Sequence, residues 1–309
     1  MNTVEVSFAV AMLLQVSTGV SVNVFLLLFY THTVSTSHKP SSSDLILSHL
    51  ALSNTIILLT VGIPETMSAW GQNNFLNSIG CKTLIYLYRV ARGLAICTTC
   101  LLSVFQAVTL SPGTSRWAGT KVKLPKCIIP SCLLSWILNL LIEINTALNF
   151  TGPQNSSGIR YPLDLKYCSR VSVSAKTNQV VAVVLSTRDL LFVGLMTVTS
   201  SYMVFILFRH HQRVQHLHGP GHSPRVMPEV RAAKRVVALV TFYVILYGRQ
   251  SIMLSFILNM KENSPLLVNT HMVLSFTFSA ISPFLVIHSD RRMRTFWKKE
   301  SPLSSTDPS

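Results

Sequence analysis

The sequence predicts an all-α membrane protein: a seven-transmembrane helix bundle with its N-terminus outside and its C-terminus in the cytoplasm. Three observations carry that prediction. Of 309 residues, 49% are hydrophobic and only 12% are charged, against roughly 25% charged in a soluble domain, and the mean hydropathy is +0.44. Apolar runs near or above the ~20 residues that cross a bilayer recur seven times. Lysine and arginine fall unevenly between the connecting segments, which orients the bundle. A net charge of +15 would suggest nucleic acid as the partner of a soluble chain. Here it belongs beside the bilayer, and no nucleic-acid partner is expected.

The spans follow in order. Span one covers residues 6–30. Met1–Glu5 carries no basic segment, the apolar run exceeds a signal-peptide core, and no convincing cleavage site follows, so it is expected to be a retained signal-anchor helix. Span two covers 44–69, and Pro64 is expected to kink its outer end. Span three, 81–110, opens on Cys81 and carries Arg89 and Arg92 inside an apolar stretch. Spans two and three exceed ~20 residues and so tilt or reach beyond the lipid. Span four covers 127–148. The loop after it holds Asn149-Phe-Thr and Asn155-Ser-Ser, candidate N-glycosylation sites that mark the loop as outside. Spans five, six and seven cover 179–207, 235–259 and 267–288. Residues 1–288 thus form one domain and 289–309 a short cytoplasmic tail.

With the N-terminus outside, sixteen of the 26 Lys and Arg residues lie on the cytoplasmic side and six on the outer side. That bias agrees with the sequon positions. The remaining four, Arg89, Arg92, Arg188 and Arg249, lie within spans. Cys81 and Cys168 are the obvious outer pair, because Cys97, Cys100, Cys127 and Cys132 fall in spans or at a cytoplasmic end. A bond between them would constrain the unfolded chain by about 4–5 kcal/mol on the loop-entropy model.

Other signals have bland readings beside sharp ones. Cys97-Thr-Thr-Cys100 has the spacing of a redox or metal half-site, but it sits mid-span without a second half and reads as packing thiols. Five histidines between Arg209 and His222 suggest metal, yet the stretch is a Gly- and Pro-containing basic loop beside anionic lipid. Ser223-Pro224, Ser301, Ser304 and Ser305 are phosphorylation candidates in segments whose composition is that of disordered chain. No nucleotide loop, nucleophile triad or paired-carboxylate site stands out, so neither an enzyme nor a cofactor or metal is expected.

The charges inside the spans form a layer. At ~1.5 Å per residue, Arg89 and Arg92 lie ~12 and ~16 Å below Cys81, Arg188 and Asp189 ~14–15 Å below Gln179, and Arg249 ~15 Å below Asn259. A charge at mid-bilayer costs ~2.5–3.5 kcal/mol even on the lenient scale, so these residues should face the bundle interior. Arg89 and Arg92 are three apart and share a helix face. Arg188 and Asp189 are adjacent and point about 100° apart, so at most one should aim fully inward. Glu65 and Glu143 are expected higher, ~8 Å down. Two readings stand together: an internal ion-pair network, and the floor of a ligand pocket open to the outside. Four cations against three carboxylates bias such a pocket toward a ligand with an anionic or acceptor group.

A family resemblance enters through residues. Asn23, Asn54 in Leu50–Asn54 (LALSN) and Trp136 fit parts of the rhodopsin-like pattern, while Phe105–Leu110 (FQAVTL) lacks Asp-Arg-Tyr and Ser282–Val286 (SPFLV) replaces Asn-Pro-x-x-Tyr. Asp44–Leu52 (DLILSHLAL), Gly62–Gly71 (GIPETMSAWG), Gly80–Lys82, Tyr88–Gly93 (YRVARG), Cys97–Pro112 (CTTCLLSVFQAVTLSP), Ser115–Trp117, Tyr167–Ser169, Arg209–His216 (RHHQRVQH) and Ser282–Phe284 together resemble the vomeronasal type 1 receptors over essentially the whole chain. The resemblance implies a plasma-membrane, multi-pass chemosensory receptor for small pheromone-like molecules, signalling through Gi/Go. The candidate ligand residues are then Arg89, Arg92, Asp189, Arg249, Glu65 and Glu143. Candidates for the G-protein-facing surface are Arg116, Lys121, Lys123, Arg209, Arg213, Arg231, Lys234 and Arg235, although positive-inside topology alone also accounts for them. Ser279 stands where the family often has proline, which implies a straighter helix seven. The rival classes are another seven-helix receptor of the bitter-taste kind, a transporter or channel using the charged layer, and a non-signalling relic.

Overall fold

A computed structural model describes residues 3–36, 41–72, 74–112, 118–144, 150–152, 167–170, 175–218, 228–259, 265–290 and 292. Asn149, Asn155 and Arg116 lie outside these residues, as does the tail beyond Arg292. Seven helical spans make the bundle: α1 (Thr3–Thr36), α2 (Ser42–Ala69), α3 (Ser78–Leu110), α4 (Ala118–Ile142), α5 (Ala175–His218), α6 (Pro228–Asn259) and α7 (Pro265–Ser275 continued by Thr277–Ser289). Among the described residues, six stretches are long and apolar enough to cross a membrane; α6 is the remaining helix, 32 residues long.

Local chemistry sets the helix ends. Asn77 caps α3 by accepting the Gly80 N–H at 2.7 Å. Pro228 and Pro265 open α6 and α7, where a missing N–H costs nothing. In α2 the expected kink at Pro64 takes another form. The backbone widens into a π turn over Leu58–Gly62 and returns to α geometry at Ile63, just before the proline. A π turn re-registers the carbonyls that a proline would otherwise clash with. α4 begins at Ala118 and stops at Ile142, earlier at both ends than the apolar run 127–148. Its first turns are basic and hold no apolar signal.

α3 is the axis of the bundle and packs against α2, α4, α5 and α6. Leu94, Ile96 and Leu102 of α3 are fully buried, together with Ile46, Leu58, Met196, Met203, Leu239 and Phe276. α4 and α5 leave Leu133, Leu134, Leu141, Leu190, Leu191 and Phe205 exposed, as lipid-facing surface requires. Hydroxyls along the helices turn back onto the carbonyl four residues earlier, as at Ser17, Thr31, Thr55 and Thr98. This satisfies them without water. Other polar groups stitch helices together. Asn23 donates to the Gly19 and Ser279 carbonyls, both at 2.8 Å, and Asn54 donates to the Ser282 hydroxyl at 3.0 Å. α7 breaks its α pattern at Phe276 (φ −116°, ψ 11°) without a proline at 279, so the straighter helix expected there is not found.

One end of the bundle carries the Cys81–Cys168 disulfide, with Cα atoms 5.8 Å apart. A two-residue antiparallel pair, Phe150–Thr151 with Ser169–Arg170, sits beside it. Tyr167 is wedged in at 1% exposure, its ring against Phe75 and its hydroxyl donating to Glu65 at 3.0 Å. Burial and the Glu65 carboxylate hold this hydroxyl well above its ordinary pKa, so it stays a donor. At the opposite end Arg292 clamps Asp44 (2.9 and 2.6 Å) and Asp290 (3.2 Å), and Tyr30 donates to Asp290 at 3.3 Å. Burial alone would raise the Asp290 carboxyl, but the hydrogen bonds and charge of Arg292 bring it below the usual carboxylate value.

Candidate functional site

Four helices bring a chain of charges to one level. On α3, Arg92 donates to Asp189 of α5 at 3.2 Å. Asp189 also receives Nε of Arg188 at 3.0 Å and the Tyr247 hydroxyl of α6 at 3.2 Å. Arg188 reaches on to α4, meeting Glu143 at 3.0 Å and Asn139 Oδ1 at 3.2 Å. The Arg92 guanidinium lies 5.8 Å from the Tyr247 ring centroid, a cation–π approach. The order is therefore Arg92, Asp189, Arg188, Glu143, alternating in sign and closed by Asn139, whose amide donates to the Ser135 carbonyl at 2.8 Å.

Several expectations are revised by this arrangement. Arg188 and Asp189 are both buried, at 8% and 4% exposure, despite adjacency on one helix. The long arginine side chain folds back across Asp189, so backbone direction alone does not decide which group turns inward. Glu143 joins the charged layer instead of lying apart above it, because the long Arg188 side chain reaches it at 3.0 Å. Glu65 sits under the disulfide cap, bonded to Tyr167. Arg249 is on the exposed side of α6, and no described ion pair joins it to the chain. Arg89 is half-buried on α3, one turn nearer the disulfide. Within the layer, Arg92 and Arg188 meet two carboxylates, Asp189 and Glu143.

Arg92 is the member that reaches open space. Its side chain is 31% exposed, against 5% for Asp189, 7% for Arg188 and 0% for Glu143. It forms part of the wall of an open-sided cleft between α2, α3, α6 and α7. Tyr88 and Ala95 flank it on α3, with Tyr243, Leu246 and Tyr247 on α6, Ile57 on α2, and Leu274, Ser275, Phe278 and Ser279 on α7. Tyr243 is held by Tyr247 (centroids 6.0 Å) and by the edge of Phe278 (4.9 Å). A mainly apolar lining with few convergent polar groups is the usual chemistry of small-molecule sites.

The vomeronasal organ pheromone receptor family profile matches residues 6–299. The chain belongs to this family. Vomeronasal type-1 receptor 4 of Homo sapiens is 40% identical over 94% of this chain and 98% of its own. Olfactory receptor class A-like protein 1 of Danio rerio is 34% identical over 92% of this chain and 90% of its own. Squid rhodopsin superposes with a TM-score of 0.73 over 98% of this chain and 82% of its own, at 13% identity. That likeness is one of fold. This vomeronasal-family receptor is a chemosensory seven-helix G-protein-coupled receptor, multi-pass in the plasma membrane, whose relatives are receptors and not enzymes.

The basic residues suggested for the far end of the receptor divide. Lys123, Arg209 and Lys234 are exposed, and Arg231 and Arg235 are half-buried. Lys121 instead caps α3, donating to the Ser111 carbonyl at 2.7 Å. Arg213 lies on α5, and its side chain is outside the described set. Sequence reasoning missed Asn139, Tyr247 and Gly93. Asn139 and Tyr247 are single polar groups in apolar runs and gave no pattern. Gly93 had a signal, a glycine adjoining an arginine within an apolar span, of the kind that marks close backbone approach.

Proposed function

We propose that this receptor binds a small pheromone-like molecule in the cleft beside Arg92 and signals through a heterotrimeric G protein of the Gi/Go type. The disulfide end is then outside, the N-terminus and the Asn149 and Asn155 sequons lie with it, and the basic end is cytoplasmic. The observation that carries the proposal is the double role of Arg92, which is cleft wall and interhelical crosslink at once. An occupant with an acceptor group competes with Asp189 and Tyr247 for the guanidinium, and so acts on α5 and α6. It shifts the population toward a state with the far end of α6 displaced only by its differential affinity for the two states. The apolar lining suits a compact hydrocarbon body with one such acceptor. Lys123, Arg209 and Lys234 offer the exposed charge for the G protein.

The test is G-protein activation in cells by steroid-like and volatile panels, comparing wild type with Arg92→Ala at matched surface expression. An agonist of the wild type should need at least ~10-fold higher concentration on the variant, as expected for losing one charge-assisted hydrogen bond. Equal responses would remove Arg92 from the site. Solute flux or ionic current without any G protein would favour a transporter or channel.

A further inference from the structure

We infer that Glu143, which lies at the far end of the charge chain from the cleft, sets whether the receptor prefers neutral or anionic ligands. The inference rests on the cleft beside Arg92 being the ligand site. Between the cleft and α4 the charges run Arg92, Asp189, Arg188, Glu143, joined by contacts of 3.2, 3.0 and 3.0 Å. The last three are almost wholly buried, and only Arg92 is open to an incoming molecule. These four joined charges sum to zero, so within the chain the charge of Arg92 is balanced. A neutral acceptor such as a carbonyl, ester or hydroxyl competes for the Arg92 N–H groups without adding charge to the chain.

The balance depends on the far end. Asp189 is shared between two arginines, and it can offset both only because Glu143 takes one side of Arg188. With Glu143 neutral, Arg188 draws on Asp189 alone, and the three remaining charges of the chain sum to plus one. That excess appears at the cleft, because Arg92 is where solvent and ligand reach the chain. Glu143 is thus a positioning and charge-setting residue that never touches the ligand. Separation from the cleft does not weaken its effect much, since the intervening groups are dry and poorly screened.

The experiment uses full-length receptor in lipid nanodiscs and matched probe pairs on one skeleton: a cycloalkyl methyl ester with its carboxylate, and a steroid alcohol with its sulfate. Thermal stabilisation gives the ratio of apparent affinities, anion to neutral. Glu143→Gln should raise that ratio about tenfold, a cautious figure for one uncompensated charge at this range. Glu143→Asp should keep the wild-type ratio even if it lowers stability. Glu143→Gln combined with Arg188→Gln should restore the ratio, because the remaining Arg92 and Asp189 again balance. An unchanged ratio in Glu143→Gln, with both probes still binding, overturns the inference and leaves the cleft standing. A fall in both affinities together, with no change of ratio, assigns Glu143 a structural role only. Failure of all four probes to stabilise wild type and variants removes the cleft itself, and the inference with it.

Discussion

Gly93 closes the stretch Tyr88–Gly93, and it is where α3 admits its neighbours. A Cβ at this position would overlap Asn139 Oδ1 and stand 2.7 Å from its Cγ and 3.0 Å from Arg188 Nη1. The side chain that α4 lends to the charge chain therefore occupies the space of a missing methyl. Gly93→Ala should cost about 1–3 kcal/mol by overpacking, read as a lower unfolding temperature of the solubilised receptor. Asn139→Ala in the same background should recover part of the loss, because it vacates the contested space. A Gly93→Ala receptor as stable as wild type would mean that α4 shifts freely and that the chain is looser than its distances imply. The sequence shows Arg89 and Arg92 at once, since cations in an apolar run stand out. It does not show that Arg92 alone reaches the cleft, because that depends on Asp189 and Tyr247, residues 97 and 155 positions away.

At the scale of the helix, the spans are legible because lipid imposes one demand on every residue of a crossing segment. Their ends are less so. Hydropathy reports the bilayer and not the backbone, so α4 starts in a basic stretch and α2 carries a π turn that no composition signals. α7 is the sharpest case: it breaks at Phe276, not at a proline. Packing against the rest of the bundle holds it, through Asn23 on the Ser279 carbonyl and Asn54 on the Ser282 hydroxyl. Ser282 is fully buried. Ser282→Ala should therefore strand the Asn54 amide, costing about 1–3 kcal/mol for an unsatisfied buried donor. Ser282→Thr, which keeps the hydroxyl, should cost less. Thermal unfolding of the two variants side by side separates the hydrogen bond from the packing; equal losses would assign the effect to volume.

For the whole molecule, the two polar clusters tie different sets of helices. The charge chain links α3, α4, α5 and α6 near the disulfide half. The Arg292 cluster links α1 through Tyr30, α2 through Asp44 and the end of α7 through Asp290. The receptor is thus two stapled groups of helices that meet at the α2–α3 and α6–α7 contacts, and on the proposed reading a ligand at Arg92 competes for the ion pairs of the first group. Asp44 and Arg292 are 248 residues apart, so neither signalled a partner in the sequence. Asp44→Asn should loosen the second group by about 1–3 kcal/mol, less than the 3–5 of a fully buried pair, because the Arg292 side chain is 48% exposed. Loosening should also change G-protein activation and move the concentration dependence of the agonist with it, since α2 and α7 line the cleft and a shifted population changes apparent affinity. The exchange Asp44→Arg with Arg292→Asp should recover much of the stability, as a paired interaction does and two independent losses do not. Additive losses in that cycle, measured by thermal unfolding, would show that the cluster is a weak pairing and that α1, α2 and α7 are held by apolar packing and the Asn23 and Asn54 hydrogen bonds.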